Sequence, residues 1–201
     1  MKKTFTLAAA LAVLTSCASY TPPTKEESLA SVRASFSARS IAKLDRLEQS
    51  EIQSLCSDTR DAPNKEQSAR IEKIAAESIR YPADGKFLGD WKAGERIAQS
   101  GVGMQWSDNE KTINGGNCYA CHQIDKKEIS YGNIGPSLYQ YGKLRGNSEP
   151  ILKYTWGKIW NSHAFTACSQ MPRYGDAKIL SEAQIRDLMA LLLDPASPVN
   201  Q

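Results

Sequence analysis

Two cysteines and a histidine stand together in the run Cys118-Tyr119-Ala120-Cys121-His122. Two thiols at this spacing can each add across a vinyl group of one porphyrin, and the adjacent imidazole can then ligate the iron. The pattern is the attachment signature of c-type haem. It predicts one covalently bound haem c, held by Cys118 and Cys121 with His122 as an axial ligand. A redox function follows, because axial ligands, burial and solvent access set the chemistry of haem.

Other uses of paired cysteines fit the surrounding sequence less well. A tetrahedral zinc site needs a second ligand pair, and the sequence adds only the distant His163. A thioredoxin-like dithiol needs a βαβ setting, whereas the residues around the motif are rich in Gly and Asn. The immediate His122 and an export signal at the N-terminus favour haem.

The N-terminus is organised like a bacterial export signal. Lys2 and Lys3 precede a mostly apolar run, residues 5–14, which is too short for a stable transmembrane span. Two processing routes stay open. The run Leu14-Thr15-Ser16-Cys17 resembles a lipobox, in which Cys17 would carry a lipid anchor, whereas Ser16-Cys17-Ala18 would suit ordinary cleavage. Both routes predict a protein exported to the periplasm, the compartment in which bacterial c-type haem is attached.

The sequence has five cysteines, of which four remain in the folded domain once Cys17 is set aside. Cys118 and Cys121 are assigned to the haem. In an oxidising compartment the other two, Cys56 and Cys168, most simply form a disulfide. The alternative is that one of them is a free thiol or an iron ligand.

A six-coordinate electron-transfer haem needs a second axial ligand, and Met171 is the favoured candidate. It stands in the loop Cys168-Ser169-Gln170-Met171-Pro172-Arg173-Tyr174-Gly175, ahead of the last predicted helix. A proline directly after it keeps the backbone out of a helix and helps to project the thioether inward. Thioether ligation raises the reduction potential and suits electron transfer rather than oxygen binding.

Three other side chains could in principle ligate the iron. Met189 belongs to an apolar helix face, and Met104 lies in the loop before the haem motif, so neither is favoured. His163 is the serious alternative to Met171, and its ligation would lower the potential. An ordinary role for His163, at the surface or at a helix end, is the simpler explanation of that residue.

Helical patterns surround these residues, and no segment alternates as a strand does, so the predicted fold class is all-α. Periodicity, caps and breakers predict helices from about Lys25 to Arg60, from Lys65 to Ile79, after Asp90, after Ser148 and after Ser181. The last begins with the capping box Ser181-Glu182-Ala183-Gln184.

The overall charge is modest, with a formal net charge of +3 over 201 residues. This value and the lack of a basic motif argue against nucleic-acid binding. Cationic side chains do cluster around the haem segment, either as ordinary solvated surface or as a docking face for an acidic partner. They are Lys126, Lys127, Lys143, Arg145, Lys153 and Lys158.

Two strings of residues resemble known families. Gly135-Pro136-Ser137-Leu138 and Met171-Pro172-Arg173-Tyr174-Gly175 resemble class I cytochromes c. In their longer forms, residues 131–138 and 168–175, they resemble the SoxX family, the small monohaem cytochrome subunits of the SoxAX complex of thiosulfate oxidation. Residues 78–86 and 89–95 resemble the longer SoxX members with an N-terminal extension. The resemblance covers about Cys56 to Val199.

The export signal, the helical pattern and the resemblance together divide the chain into a signal peptide at 1–16, a tether and helical extension at 17–85 and a class I cytochrome c-like domain at 86–201. The resemblance implies that Cys118 and Cys121 bind the porphyrin and that His122 and Met171 ligate the iron. The carbonyl of Pro136 would orient the His122 ring.

In SoxAX, thiosulfate is joined to a cysteine of the carrier SoxYZ with loss of two electrons, and the reacting haem belongs to SoxA. The resemblance therefore implies the non-catalytic redox subunit of a heteromeric L-cysteine S-thiosulfotransferase, paired with SoxA and passing electrons to a soluble cytochrome. Two other hypotheses stay open: an independent periplasmic carrier that feeds an oxidase or reductase, and a haem-based sensor or gas binder, which would need an open coordination site.

Overall fold

A computed structural model describes residues 21–201 of the chain. The predicted signal peptide, residues 1–16, and Cys17 lie outside the described residues. Across residues 21–201 the chain forms α-helices and short 3-10 helices and no β-strand, as the fold prediction required. The α-helices are α1 (Lys25–Ser35), α2 (Glu51–Asp58), α3 (Lys65–Ser78), α4 (Trp91–Gln99), α5 (Tyr141–Arg145), α6 (Glu149–Trp160) and α7 (Glu182–Leu193).

The chain divides into two compact units, one ending at Ala38 and the other spanning Arg39–Gln201. Helix α1 lies in the first unit. Thr24 caps it with a capping box, in which the Thr24 side chain accepts from Glu27 N and the Glu27 carboxylate accepts from Thr24 N at 2.8 Å. No side chain of α1 is buried, so local capping rather than packing defines this helix.

The second unit is built on a close crossing of α4 and α7. The N–H of Gly89 donates to the carbonyl of Arg186 at 2.9 Å, and the N–H of Asp90 donates to Asp187 Oδ1 at 2.8 Å. A Cβ added at Gly94 would lie 2.1 Å from the carbonyl oxygen of Asp187. The absence of a side chain at Gly94 thus allows the two helix backbones to touch.

The larger apolar core surrounds this crossing. Helix α7 contributes a nearly continuous buried face, and Trp156 of α6 is fully buried. The indole N–H of Trp156 donates to the carbonyl of Arg80 at 2.7 Å, and that of Trp160 donates to the carbonyl of Ser78 at 3.0 Å. Because buried indoles need a partner, these bonds fix the chain after α3 against α6.

A second, smaller apolar cluster lies between α2, α3 and the segment after α6. Its buried members are Ile52, Cys56, Ile71, Ala75 and Cys168. The α2–α3 pair thus packs on the loop that leads to Met171 rather than on the main core.

The predicted helix from Lys25 to Arg60 is wrong as one continuous element. The chain leaves the helix after Ser35 and re-enters it only at Ser50, whose capping box with Gln53 begins α2. Between them, Ser40 adopts a left-handed conformation with φ 47° and its hydroxyl donates to the carbonyl of Asp108. The Arg46 guanidinium donates to the carbonyl of Met104 at 2.8 Å. These bonds to a distant loop override a weak helical preference.

The other predicted helices are confirmed within a residue or two. Helix α3 ends at Ser78, Asp90 caps α4 by accepting from Lys92 N at 2.9 Å, and the capping box of Ser181 and Gln184 begins α7. The short helix α5 has no counterpart in the sequence prediction. Among residues 21–201, no helix combines the length and apolar character needed to cross a bilayer.

Candidate haem-binding site

A cavity of about 440 Å³ opens beside the Cys118–His122 motif, within the size range of cofactor sites, roughly 300–1,000 Å³. Its walls are mainly apolar and aromatic, with contributions from the motif, the loop 134–139, α5, α6, the loop 169–174 and α7. Cys118, Cys121, His122, Pro136 and Met171 all line it. The structure therefore brings together the residues that the sequence assigned to haem attachment and iron ligation.

The motif itself folds as a single turn. Asn117 adopts a left-handed conformation with φ 47°, and a 3-10 helix over Cys118–Ala120 follows. The N–H of His122 donates to the carbonyl of Cys118 at 2.9 Å. This turn places both thiols and the imidazole against the same cavity. Within the described chain, Cys118 and Cys121 are the free cysteines.

The loop that follows the motif runs alongside it and is hydrogen-bonded to it. Three of its N–H groups donate to motif carbonyls or the residue after the motif, at 2.8 Å each: Gly132 to Tyr119, Gly135 to Cys121 and Leu138 to Gln123. A Cβ at Gly132 would lie 1.9 Å from the carbonyl oxygen of Ala120. Close backbone approach explains why glycine is needed at this position.

The carbonyl of Pro136 lies 2.7 Å from Nδ1 of His122. A carbonyl oxygen only accepts, so Nδ1 carries the proton and Nε2 keeps its lone pair for a metal ion. A Cβ at Gly135 would lie 2.2 Å from Cε1 of the same ring. Gly135 and Pro136 thus fix both the tautomer and the orientation of His122, the arrangement typical of a metal-ligating histidine.

Met171 reaches the cavity from a separate loop, between α6 and α7. The buried hydroxyl of Ser162 donates to the carbonyl of Met171 at 2.6 Å, and Pro172 follows without an N–H to satisfy. The Tyr174 hydroxyl donates to the carbonyl of Gly116 at 2.5 Å, which joins the Met171 loop to the residues before Cys118. Both sides of the cavity are therefore linked by hydrogen bonds.

The other candidate ligands lie elsewhere. His163, Met104 and Met189 are not among the side chains that line the cavity. Met189 is fully buried in the main core. His163 is half-buried with Nδ1 unbonded, and burial, followed by the nearby charge of Arg173, lowers its pKa. These positions favour Met171 as the distal ligand.

Cys56 and Cys168 are joined as a disulfide with their Cα atoms 5.5 Å apart. Both residues are 7% exposed. The bond connects α2 to the chain three residues before Met171. Neither cysteine lines the cavity, so the structure separates this pair from the haem thiols.

The residues present fit a haem. The paired thiols suit two thioether bonds, and Nε2 of His122 and the Met171 thioether are ordinary iron ligands. Arg145 and Lys158 also line the cavity and would supply positive charge for anionic propionate groups. Burial raises the pKa of the Cys118 thiol to about 12.

A carboxylate cluster behind the motif was not found from the sequence. The Tyr119 hydroxyl donates to both carboxylate oxygens of Glu95, at 3.0 and 3.1 Å, and accepts from the N–H of buried Asp125 at 3.1 Å. Burial, with the charges of Asp125 and Glu128 adding to it, raises the pKa of Glu95. Glu95 and Tyr119 are far apart in the chain, so only the fold reveals the pair.

Comparison with known proteins supports this assignment. Residues 107–194 match the cytochrome c family model. The chain is also 37% identical over 146 residues to an uncharacterized lipoprotein of Aquifex aeolicus (strain VF5). The alignment covers 70% of this chain and 66% of that relative, so the chain spans a little under two thirds of the relative's length.

Proposed function

Because residues 107–194 form a cytochrome c domain, which holds one haem c covalently and transfers electrons, we propose that this chain is a periplasmic electron-transfer protein. More narrowly, we propose that it is the SoxX-type redox subunit of a SoxAX complex. The observation that carries the electron-transfer role is that His122 and Met171 line one cavity from separate loops. With His122 and Met171 both ligating the iron of a bound haem, no coordination site would be left for a substrate.

Each residue of the site has a defined task. A haem bound there supplies a reversible one-electron iron couple. Cys118 and Cys121 would hold the porphyrin through thioether bonds, and the contact of Nδ1 with the Pro136 carbonyl would keep Nε2 of His122 available to ligate the iron. The thioether of Met171 would favour the reduced iron and raise the potential, while the apolar walls would exclude water. Electron transfer then needs no bond rearrangement within the protein.

Two features support the SoxX-type role. The strings that carry the resemblance, residues 131–138 and 168–175, supply much of the cavity wall. The end of the extension, at Ser78 and Arg80, is fixed to the cytochrome part by the bonds from Trp160 and Trp156. In this role the chain accepts electrons released when SoxA joins thiosulfate to a SoxYZ cysteine, and passes them to a soluble cytochrome. It performs no catalysis alone.

The relative's name supports membrane attachment. A lipoprotein carries its lipid on an N-terminal cysteine, and Cys17 of this chain follows a lipobox-like run. We therefore propose that Cys17 carries a lipid anchor and holds the cytochrome domain at the periplasmic face of a membrane. Mass spectrometry of the mature N-terminus distinguishes this from cleavage without lipidation.

The test of the SoxX-type role is a reduction assay with purified components. The oxidised holo-protein is mixed with SoxA, SoxYZ and thiosulfate, and reduction of its haem is followed by absorbance. We expect reduction only when all three are present, and stable co-purification with SoxA. If thiosulfate has no effect under any combination, the SoxX-type role is wrong and the cytochrome assignment is unaffected.

An independent periplasmic carrier is the second candidate. It is favoured by the exposed cations near the motif, Lys126 and Lys127, and by Lys143 and Arg145 on α5, which suit transient docking of an acidic partner. A free carrier should remain monomeric and exchange electrons with an oxidase or reductase at a rate that falls steeply with ionic strength. The same purified protein serves for this measurement.

A further inference from the structure

We propose that the helical pair α2–α3 is a clamp that positions Met171, with the Cys56–Cys168 disulfide and Ser162 as positioning residues for the distal ligand. This inference rests on the proposed ligation of the haem iron by Met171. It assigns a role to the N-terminal extension that neither the haem motif nor electron transfer itself requires. The extension thereby becomes part of the haem site although it does not line the cavity.

The first support is the packing of the loop that precedes Met171. In this segment, residues 162–168, the side chain of Cys168 does not belong to the main core. Cys168 is buried instead with Ile52, Cys56, Ile71 and Ala75, and Ala164 and Ala167 pack against the same cluster. The residues that approach the ligand thus share their apolar environment with the extension.

Polar contacts continue the connection up to the ligand. The amide of Gln170 donates to Asp61 Oδ2 at 3.0 Å, just after α2. The hydroxyl of Ser162 holds the Met171 carbonyl, and the Ser169 hydroxyl accepts from the Met171 N–H at 3.3 Å. The backbone of Met171 is therefore held at both its N–H and its carbonyl, and the extension bonds directly to the residue before it.

The disulfide acts here as a permanent bond rather than as a switch. Both cysteines are 7% exposed, so a reductant in solution has little access to the sulfur atoms while the protein is folded. Cys168 has φ 54°, in the left-handed region that non-glycine residues seldom occupy. The disulfide and its apolar surroundings hold this conformation three residues before the ligand.

A clamp of this kind governs how readily another ligand replaces Met171. The iron–thioether bond breaks when the loop moves away, and the loop moves only if the contacts with α2 and α3 allow it. The experiment compares ferric holo-protein with the variant C56S/C168S and uses cyanide as the incoming ligand. The readouts are the rate of cyanide binding and the weak long-wavelength charge-transfer band of a thioether–ferric iron bond.

We expect cyanide to bind C56S/C168S about tenfold faster or more, within the range of ordinary coupling between sites, and the charge-transfer band to weaken on gentle warming. The matched control is R70Q, which breaks the exposed pair between Arg70 of α3 and Glu51 of α2. That pair joins the same two helices without touching the ligand loop, so R70Q should bind cyanide at the wild-type rate.

A second variant keeps the test valid if the double variant does not fold. Q170E leaves the disulfide intact and places a carboxylate against Asp61, so it should also accelerate cyanide binding. If neither variant changes the rate or the band, the clamp is overturned although Met171 ligation stands. If wild-type protein lacks the band, ligation by Met171 is itself wrong and the clamp falls with it.

Discussion

The position of the His122 ring depends on the absence of a side chain at Gly135. The ring of His122 is held by the Pro136 carbonyl on one side and leaves no room for a side chain on Gly135. The type of the ligand residue alone does not set the orientation of the imidazole, which here also depends on a neighbour that has no side chain. The neighbouring positions are therefore as important as the ligand itself.

Substitution of Gly135 by alanine should disturb the haem iron. The new methyl group would lie 2.2 Å from Cε1 of His122, so the ring must turn and lose its bond to Pro136. We expect a loss of about 1–3 kcal/mol in stability from overpacking, together with a changed reduction potential. Thermal unfolding and redox titration of the holo-protein measure both.

The control for this substitution is Gly85→Ala. Gly85 has φ 67° and no atom within 4 Å of an added Cβ, and neither it nor its chain neighbours line the cavity, so alanine there strains the backbone away from the haem, at a cost of about 1–3 kcal/mol. The potential of this variant should equal that of the wild type. An unchanged potential in both variants would show that Gly135 does not position His122.

The identity of the distal ligand is also a residue-scale question. Met171→Ala should open one iron position, so the reduced variant should bind carbon monoxide at neutral pH while the wild type does not. His163→Ala should leave the spectrum and the potential unchanged, because His163 does not line the cavity. The reverse result would make His163 the ligand. Carbon monoxide binding by the wild type would instead support the sensor hypothesis.

At the scale of elements, the crossing of α4 and α7 holds the cytochrome part together. Gly94 in α4 lies directly against the backbone of Asp187 in α7. Alanine at a helical glycine normally gains up to about 1 kcal/mol of helix propensity. Here the added methyl group meets a carbonyl oxygen that cannot rotate away, and the clash outweighs the gain.

We therefore expect Gly94→Ala to destabilise the protein by about 1–3 kcal/mol or more, measured by denaturant unfolding. Gly157→Ala in α6 is the matched comparison, since it is also a buried helical glycine. Its added Cβ would lie 3.0 Å from two atoms of the Phe165 ring, and this partly exposed ring can shift. The effect at Gly157 should be distinctly smaller; equal effects would mean that the α4–α7 contact is not the tight point.

What the sequence could predict follows from how local each signal is. The haem motif and the capping box at Ser181 each span a few residues, so their chemistry is evident from the chain alone. The end of α1 and the contact of Glu95 with Tyr119 depend on residues far away in sequence. Met171 lies between these cases, because Pro172 marks it locally but only the fold brings it to the cavity with His122.

For the larger of the two units, Arg39–Gln201, residues 39–85 of the extension and the cytochrome part form one compact body. The segment between α3 and α4 also makes a charged contact with α7. Arg186 of α7 makes two bonds to Asp84, at 2.9 and 3.0 Å, and one to Glu182 at 2.6 Å. The bond to Arg186 is the main reason why the pKa of Asp84 falls from 3.8 to about 2.

This lowered pKa predicts how stability depends on pH. Between about pH 4 and pH 2 the unfolded chain binds more protons at Asp84 than the folded protein does. The stabilisation from the Asp84–Arg186 pair is therefore complete above the ordinary carboxyl pKa and is lost as the pH falls towards 2. Asp84→Asn removes this contribution, so the variant should unfold at a lower temperature than the wild type at neutral pH. The two should converge near pH 2.

Thermal unfolding of both proteins over this pH range measures the difference directly. Glu149→Gln is a suitable control, because Glu149 pairs with Lys153 within α6 at 2.7 Å and joins no separate elements. Asp84 is solvent-exposed, so high salt should reduce the effect of its substitution. The difference in unfolding temperature between wild type and Asp84→Asn could instead persist unchanged down to pH 2. The charge of the Asp84–Arg186 pair would then not be its cause, and the variant would act through backbone contacts such as the Lys86 N–H bond to Asp84.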